Sequence, residues 1–302
     1  MAYAAAARTV LCTNRSNLQT TGTEAAMTTT VCLTFDFDAL SIWVSTFKQT
    51  TATPLSRGEY GARVGIGRIL DLLAKHCVPA TFFVPAHTAA CFPEEVRGIA
   101  KEGHEIALHG YCHETPVSLT PEDERRQLSR SIAKLRETLG ASYTPSGYRS
   151  PAWDLSNHSI TVLEEAGLLY DSSMMADDFC PYRPRKGDIV DEEGFKPGPL
   201  AKLIEMPVAW ELDDYPYFQF SSKPFNPGLR NPADVLAIWK GEFDYCHAEV
   251  LDGVFTLTTH PEIIGRGPRI RMLGDLIAHM QSQSGVAFST LADAARSRMS
   301  SA

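Results

Sequence analysis

The chain has 302 residues, of which 44% are hydrophobic and 21% charged, and its formal net charge at pH 7 is −8. This composition is typical of a globular protein that buries a sizeable core. A net negative charge argues against nucleic acid or an anionic membrane surface as the main partner, because both select clustered Lys and Arg. No apolar run is long enough for a membrane-spanning helix, so we predict no membrane partner.

The first thirty residues differ in composition from the rest of the chain. Residues 1–30 are rich in Ala, Thr, Asn and Ser, and we predict that they form a disordered tail. Their short apolar run, around Val10 to Cys12, is too brief for the core of a signal peptide, which predicts a cytoplasmic protein. Met27 stands just before the first predicted strand, so whether 1–26 belong to the native protein stays open.

Strand and helix patterns alternate from residue 31 to the end. Short runs of strand-forming residues predict strands at 31–35, 79–85, 105–108, 146–150, 168–171, 254–259 and 286–288. Apolar residues at helical spacing predict helices at 58–76, 93–102, 121–139, 156–166, 232–250, 269–282 and from 291 onwards. This alternation predicts a parallel sheet with covering helices, either a barrel or a doubly wound sheet. No change in composition marks a second domain within 31–302.

One stretch breaks the alternation. Residues 176–231 are rich in Pro, Gly and aromatic residues and carry no long periodic segment. Long irregular segments within compact domains often form lids or binding loops. A surface excursion or a contact between subunits is the alternative, and the sequence leaves both open.

Two histidines, His109 and His113, follow the third predicted strand at a spacing of four residues. On one turn of helix this spacing places both imidazoles on the same face, where they can bind one divalent transition metal ion. The alternative is a surface turn with two titrating histidines. A metal site needs a third ligand from elsewhere in the chain.

Polar side chains also follow other predicted strands: Asp36 and Asp38, Arg149 and His260. Each has an ordinary structural explanation, such as a turn cap, an ion pair or a loop histidine. In parallel α/β folds, however, the carboxyl ends of the strands collect the active site, and together these residues favour a metal hydrolase. Two histidines and an aspartate suit a catalytic zinc, and cobalt or nickel as well. A second carboxylate can act as base, a histidine as acid, and an arginine can keep the base ionised.

The ordered set of motifs resembles the polysaccharide deacetylases with the NodB homology domain, carbohydrate esterase family 4. The matching segments are 34–39, 109–113, 148–151, 170–173 and 258–261. This resemblance covers about residues 31 to 288 and implies a distorted, incomplete (β/α) barrel. It implies that Asp36 is the base, that Arg149 orients and pairs with Asp36, and that His260 is the general acid. The implied metal ligands are Asp38, His109 and His113.

Some residues depart from the family pattern. Phe37 separates two aspartates that are usually adjacent, and Gly110 replaces a usual Ser or Thr. Segments 212–214 and 265–268 resemble a branch that includes peptidoglycan deacetylase-like, allantoinase-like and cyclic imide hydrolase proteins. The resemblance to this branch implies a cytoplasmic homo-oligomer. The predicted substrate contacts are Glu114, Trp153, Asp213 and Asp214.

The predicted function is metal-dependent hydrolysis of a carbon–nitrogen bond other than a peptide bond. The substrate that the family implies is an N-acetylated sugar polymer, and the alternative is a small cyclic amide or imide. A second alternative is a catalytically silent protein that binds metal or carbohydrate. Asp36 and His260 argue against it, because a pure binder needs neither a base nor an acid.

Overall fold

A computed structural model describes residues 28–223 and 225–300. The strands within this part of the chain are β1 (Thr29–Asp36), β2 (Thr81–Val84), β3 (Glu105–Leu108), β4 (Gly147–Tyr148), β5 (Tyr170–Asp171), β6 (Ile189–Asp191), β7 (Gly194–Lys196), β8 (Ile204–Glu205), β9 (Ser221–Ser222), β10 (Phe225–Asn226), β11 (Val254–Thr259) and β12 (Val286–Phe288). The main sheet has the order β11-β1-β2-β3-β4-β5-β8, and β12 also pairs with β1. Every pairing in it is parallel. The sheet curls into an incomplete (β/α) barrel, which confirms the predicted fold class.

Helices cover the outside of the curled sheet. Their bounds are α1 (Ala52–Tyr60), α2 (Ile66–His76), α3 (Ala86–Cys91), α4 (Pro93–Lys101), α5 (Pro121–Leu139), α6 (Ser159–Glu165), α7 (Asp214–Phe218), α8 (Pro232–Glu249), α9 (Pro261–Ile264), α10 (Gly267–Gln281) and α11 (Leu291–Ser300). The start of α5 shows how the sequence sets such a helix: Thr120 accepts a hydrogen bond from the N–H of Asp123, and Pro121 occupies the first position. None of the helices in the described residues is long and apolar enough to cross a membrane.

The core lies on both faces of the sheet, which is why β1 is an unbroken apolar run rather than an alternating one. Val31, Leu33 and Phe35 pack outwards under the helices. Cys32 points the other way, into a smaller cluster inside the barrel that includes Phe83. Burial of each large apolar side chain contributes about 1.5–3 kcal/mol to folding.

The last helix closes the amino-terminal end of the barrel. The side chain of Thr81, the first residue of β2, accepts a hydrogen bond from the N–H of Leu291. Glu105, the first residue of β3, accepts one from the N–H of Ala292. Both residues satisfy N–H groups in the first turn of α11, which have no partner within the helix. With this end closed, the carboxyl ends of the strands are left to form a site.

Three predicted segments differ from the structure. The predicted tail 1–30 lies outside the described residues except for its last three, and β1 begins two residues early, at Thr29. The helix predicted at 58–76 is two α-helices joined by the π-helical turn Gly61–Gly65. The stretch 176–231 is not a single irregular excursion, because β8 joins the main sheet and β6 and β7 form a separate exposed hairpin.

Candidate active site

The candidate residues meet at the carboxyl edge of the main sheet. Asp36 is the last residue of β1, and His109, Arg149 and His260 each follow directly after β3, β4 and β11. Because these strands are parallel, their carboxyl ends lie on the same side of the sheet. All four side chains are buried, together with Asp38.

Asp38 lies between the two histidines. Its Oδ1 is 3.4 Å from His109 Nε2, and its Oδ2 is 3.3 Å from His113 Nε2. Neither carboxylate oxygen has a hydrogen-bond partner in the described part of the chain, although the side chain is fully buried. Burial by itself raises the pKa of Asp38, but His113 and then His109 outweigh it and hold that pKa well below its usual range. A buried carboxylate without a hydrogen-bond donor requires a compensating cation.

The donor set fits a divalent transition metal. One ligand atom from each of these three residues lies within 4.8 Å of the other two. His109 Nδ1 lies 2.8 Å from the carbonyl oxygen of Arg149, so this nitrogen is the donor and Nε2 keeps its free electron pair. His113 Nδ1 is similarly 2.7 Å from Thr46 Oγ1. Both rings therefore turn Nε2 towards Asp38.

The prediction that His109 and His113 share a helical face is wrong. Residues 109–113 form a turn, in which Gly110 has φ +69° and His113 has φ +62°. Glycine adopts this left-handed conformation without strain, and a Cβ at Gly110 would lie 3.3 Å from Pro151 Cγ. The spacing of four thus brings the imidazoles together through a tight turn, and their centroids are 5.0 Å apart.

Arg149 holds the second aspartate. Its Nη1 donates to Asp36 Oδ1 at 2.8 Å and to Thr34 Oγ1 at 2.8 Å. Nε and Nη2 donate to the carbonyl and the hydroxyl of Ser172, and the guanidinium stacks on Phe83 at 4.1 Å. The arginine is fully buried, but these partners satisfy it. The other oxygen of Asp36 is 3.9 Å from His109 Nε2.

Two acidic residues, Asp213 and Asp214, contact the Nδ1 side of the His260 ring. Asp214 Oδ1 lies 2.7 Å from His260 Nδ1, and the carboxylate also accepts the backbone N–H of His260. Burial lowers the pKa of His260, but Asp213 and Asp214 outweigh it and raise that pKa well above its ordinary value. His260 Nε2 is left 3.9 Å from Asp38 Oδ2. Asp213, Asp214 and His260 are also close enough to form a second metal cluster. However, both oxygens of Asp214 already accept hydrogen bonds from His260.

The predicted substrate contacts fall in different places. Asp213 and Asp214 are buried against His260. Glu114 accepts a hydrogen bond from the N–H of Cys112 within the histidine turn. Trp153 has a left-handed backbone, with φ +54°, and its ring lies 4.3 Å from the exposed ring of Trp210.

Three residues that support the site are not among the predicted site residues. Thr46 orients His113, Ser172 binds Arg149, and the ring of Trp210 contacts that of Trp153 at a tilt of 32°. Ser172 lies within segment 170–173, so the motif pointed to it. Thr46 and Trp210 carry no signal in a single sequence, because only the folded chain brings them to the site.

The sequence and the fold are similar to those of known proteins. A family model described as polysaccharide deacetylase matches residues 27–170. The peptidoglycan deacetylase of Helicobacter pylori is 34% identical over 268 residues, which cover 84% of this chain and 91% of the relative. The chain therefore belongs to the polysaccharide deacetylase family.

Two solved structures share the fold. A protein from Mycobacterium smegmatis, assigned as a polysaccharide deacetylase, superposes with a TM-score of 0.80 at 34% identity and covers 93% of both chains. PuuE allantoinase superposes with a TM-score of 0.73 at 23% identity, again over 93% of both chains. At that identity the allantoinase shows a common fold and no more.

Proposed function

We propose that this protein is a metal-dependent amide hydrolase that removes acetyl groups from an N-acetylated sugar polymer such as peptidoglycan. The observation that carries the proposal is the buried Asp38 carboxylate, which lies between two oriented imidazoles and has no hydrogen-bond partner among the described residues. The H. pylori relative, a peptidoglycan deacetylase, supports the choice of substrate.

Asp38, His109 and His113 would hold the metal, which we propose is zinc, with cobalt or nickel also compatible with these ligands. When bound, such an ion lowers the pKa of water and polarises a carbonyl group. Thr46 and the carbonyl of Arg149 fix the two imidazoles in the tautomer that the ligands need. The low pKa of Asp38 keeps its carboxylate ionised at neutral pH, as a ligand must be.

Asp36 and His260 supply the proton transfers. Asp36 accepts on its Oδ2 a proton from the attacking water, while Arg149 donates a hydrogen bond to its Oδ1. The water oxygen forms a bond to the amide carbon, and the carbon–nitrogen bond breaks. His260 donates its Nε2 proton to the departing nitrogen, and Asp214 holds the other ring nitrogen. The products are a carboxylic acid and an amine.

A small cyclic amide is the second candidate substrate. The ring of Trp210, from the 176–231 stretch, lies 4.3 Å from the ring of Trp153, which is four residues after Arg149. Two aromatic rings at this position suit a small planar ligand as well as a sugar ring. In that case the same base and acid open the ring and release no acetate.

A hydrolysis assay with two substrate sets tests the proposal. Metal-loaded protein is incubated with chitooligosaccharides and peptidoglycan fragments, assayed for acetate, and separately with allantoin, succinimide and hydantoin, assayed for ring opening. We expect acetate release that disappears on metal removal and in Asp36→Asn. Ring opening alone supports the second candidate. No turnover with either set, together with retained metal or carbohydrate binding, contradicts an enzyme and favours a silent binder.

We also propose that the protein forms a homo-oligomer. The β6–β7 hairpin is exposed over its full length and presents Ile189, Val190 and Phe195 to solvent. An exposed apolar patch of this kind is typical of an interaction surface. Light scattering after gel filtration measures the molar mass, and a value of 33.2 kDa, that of one chain, contradicts the proposal.

A further inference from the structure

A second cavity lies beside the segment that follows His260. Its volume is about 430 Å³, and it is lined by the end of α1, by residues 218–220 and 229–232, and by the region from α9 to α10. Four arginines line it: Arg57, Arg230, Arg266 and Arg269. A single acidic side chain, Glu262, lines it with them.

These four arginines lack carboxylate partners. In the part of the chain that the structure describes, none of them makes an ion pair, whereas Arg125 and Arg126 on α5 pair with acidic residues. Arg57 donates to Gln219 Oε1 at 2.8 Å. Arg269 donates to the carbonyl of Ile263 at 3.2 Å, and Arg266 donates to the carbonyl of Glu262 at 3.4 Å. A guanidinium carries five N–H donors, so most of the donors in this cavity have no acceptor from the described residues.

Aromatic rings hold three of these guanidinium groups in place. Arg266 stacks on Tyr60 with its carbon 3.6 Å from the ring centroid, and Arg269 lies 4.5 Å from that of Phe218. Arg57 lies 4.7 Å from that of Trp43. A planar cation fixed by stacking loses little further freedom when it binds a ligand.

The charges in the cavity repel one another. Burial lowers the pKa of Arg57 and of Arg269, and the nearby Arg266 lowers both further. Glu262 acts in the opposite direction on Arg57, and Asp214 does so on Arg269. The Glu262 side chain is only 7% exposed, and its Oε2 has no hydrogen-bond partner among the described residues. Four arginines thus line the cavity with one acidic side chain, so a bound anion would offset their excess positive charge.

We propose that this arginine cavity is a binding site for an oxyanion, either a carboxylate or a phosphate group. The guanidinium fork matches the two oxygens of either group, and such charge-assisted hydrogen bonds are strong. The site shares no residue with the metal ligands, the base or the acid. It adjoins α9, which directly follows His260, so an anion bound there lies against the segment that carries the proposed acid.

Calorimetric titration of the metal-loaded protein tests the site. Inorganic phosphate and succinate are titrated separately at constant ionic strength. If only one of them binds, the result identifies whether the cavity accepts a phosphate or a carboxylate group. We expect the double variant Arg266→Gln, Arg269→Gln to bind at least about tenfold more weakly, since each lost charge-assisted hydrogen bond weakens binding by that order. The control removes two charges elsewhere, in Arg125→Gln, Arg126→Gln, and keeps the affinity within about twofold.

Three outcomes overturn the proposal. In the first, neither ligand binds the wild-type protein. In the second, the cavity variant and the control lose affinity equally. In the third, binding survives in the cavity variant but is lost on chelation, which places the anion at the metal ligands. Circular dichroism checks that each variant folds. Arg230→Gln is the reserve variant, because the Arg230 side chain is exposed and, unlike its backbone N–H, makes no hydrogen bond to the described residues.

Discussion

Polar side chains are buried at both the amino-terminal and the carboxyl edge of the main sheet, but their hydrogen bonding differs. At the amino-terminal edge, Thr81 and Glu105 bond to each other and to the first turn of α11. At the carboxyl edge, both oxygens of the buried Asp38 are without a donor in the described chain. Polar groups that satisfy one another stabilise the fold, whereas a group left unsatisfied by the chain points to a ligand. The comparison predicts that substitutions at the two edges separate stability from function.

The largest effect is expected from His109→Ala. This change removes one of three proposed metal ligands, so we expect metal content to fall at least about tenfold and turnover to fall by about a thousandfold or more. Mass spectrometry of the metal per chain and the acetate assay measure the two effects. His76→Ala is the matched control, because His76 is partly exposed and bonds to Gln281 on the helical surface. Full metal content in His109→Ala contradicts the proposed site.

Arg149→Met tests the carboxyl edge for stability. The change leaves the buried Asp36 carboxylate without its cation, and loss of one partner of a buried pair costs about 3–5 kcal/mol. Urea unfolding measures this free energy. Arg126→Met removes an arginine from an exposed pair with Asp123 and is expected to cost less than about 1 kcal/mol. Equal costs for the two variants contradict the view that Arg149 compensates a buried charge.

The sequence predicted the parallel sheet, because apolar strands and amphipathic helices alternate over most of the chain. It also located the strand ends, and the structure brings Asp36, Asp38, Arg149 and His260 together at one edge. What it could not predict depends on contacts between distant segments. The turn at 109–113 is set by the left-handed Gly110 rather than by helical spacing.

The same limit applies to residues that join the site from afar. Thr46 is 67 positions from its partner His113 and has no motif of its own. The arginine cavity combines residues near 57, 230 and 266, whose proximity no local pattern encodes. The strand β8 has only two residues, which is too few for a periodic pattern. The sequence therefore does not predict it within the 176–231 stretch.

Thr81→Val tests the amino-terminal edge. It leaves the N–H of Leu291 without its acceptor in a buried position, which costs about 1–3 kcal/mol. Metal content and turnover per folded molecule should stay as in the wild type. Thr256→Val is a close control, since the buried Thr256 hydroxyl has no hydrogen-bond partner in the described residues. We expect that variant to be neutral or slightly stabilised, and a loss equal to that of Thr81→Val argues against the role of the capping bond.

The last predicted effect is a dependence of stability on pH, which comes from two buried carboxyl groups at the carboxyl ends of β5 and β8. Asp171 and Glu205 are buried together, and burial raises the pKa of Asp171 to about 6 and that of Glu205 well above its usual range. A carboxyl group with a raised pKa stabilises the folded state in its protonated form. That contribution is complete below the unfolded pKa of about 4 and is lost as the pH rises through about 6.

We therefore expect the free energy of unfolding to fall by about 2–3 kcal/mol as the pH rises from 4 to 7, because the pKa of Asp171 is raised by about two units. Asp171→Asn cannot ionise at this position, so the pH dependence of its unfolding should be flatter than that of the wild type. Urea unfolding at several pH values measures the difference. Glu137→Gln, at a mostly exposed position on α5, is the control and should keep the wild-type slope. A wild-type slope in Asp171→Asn as well would mean that the pair is ionised when folded, with Arg149 as the neighbouring cation that lowers the pKa of Asp171.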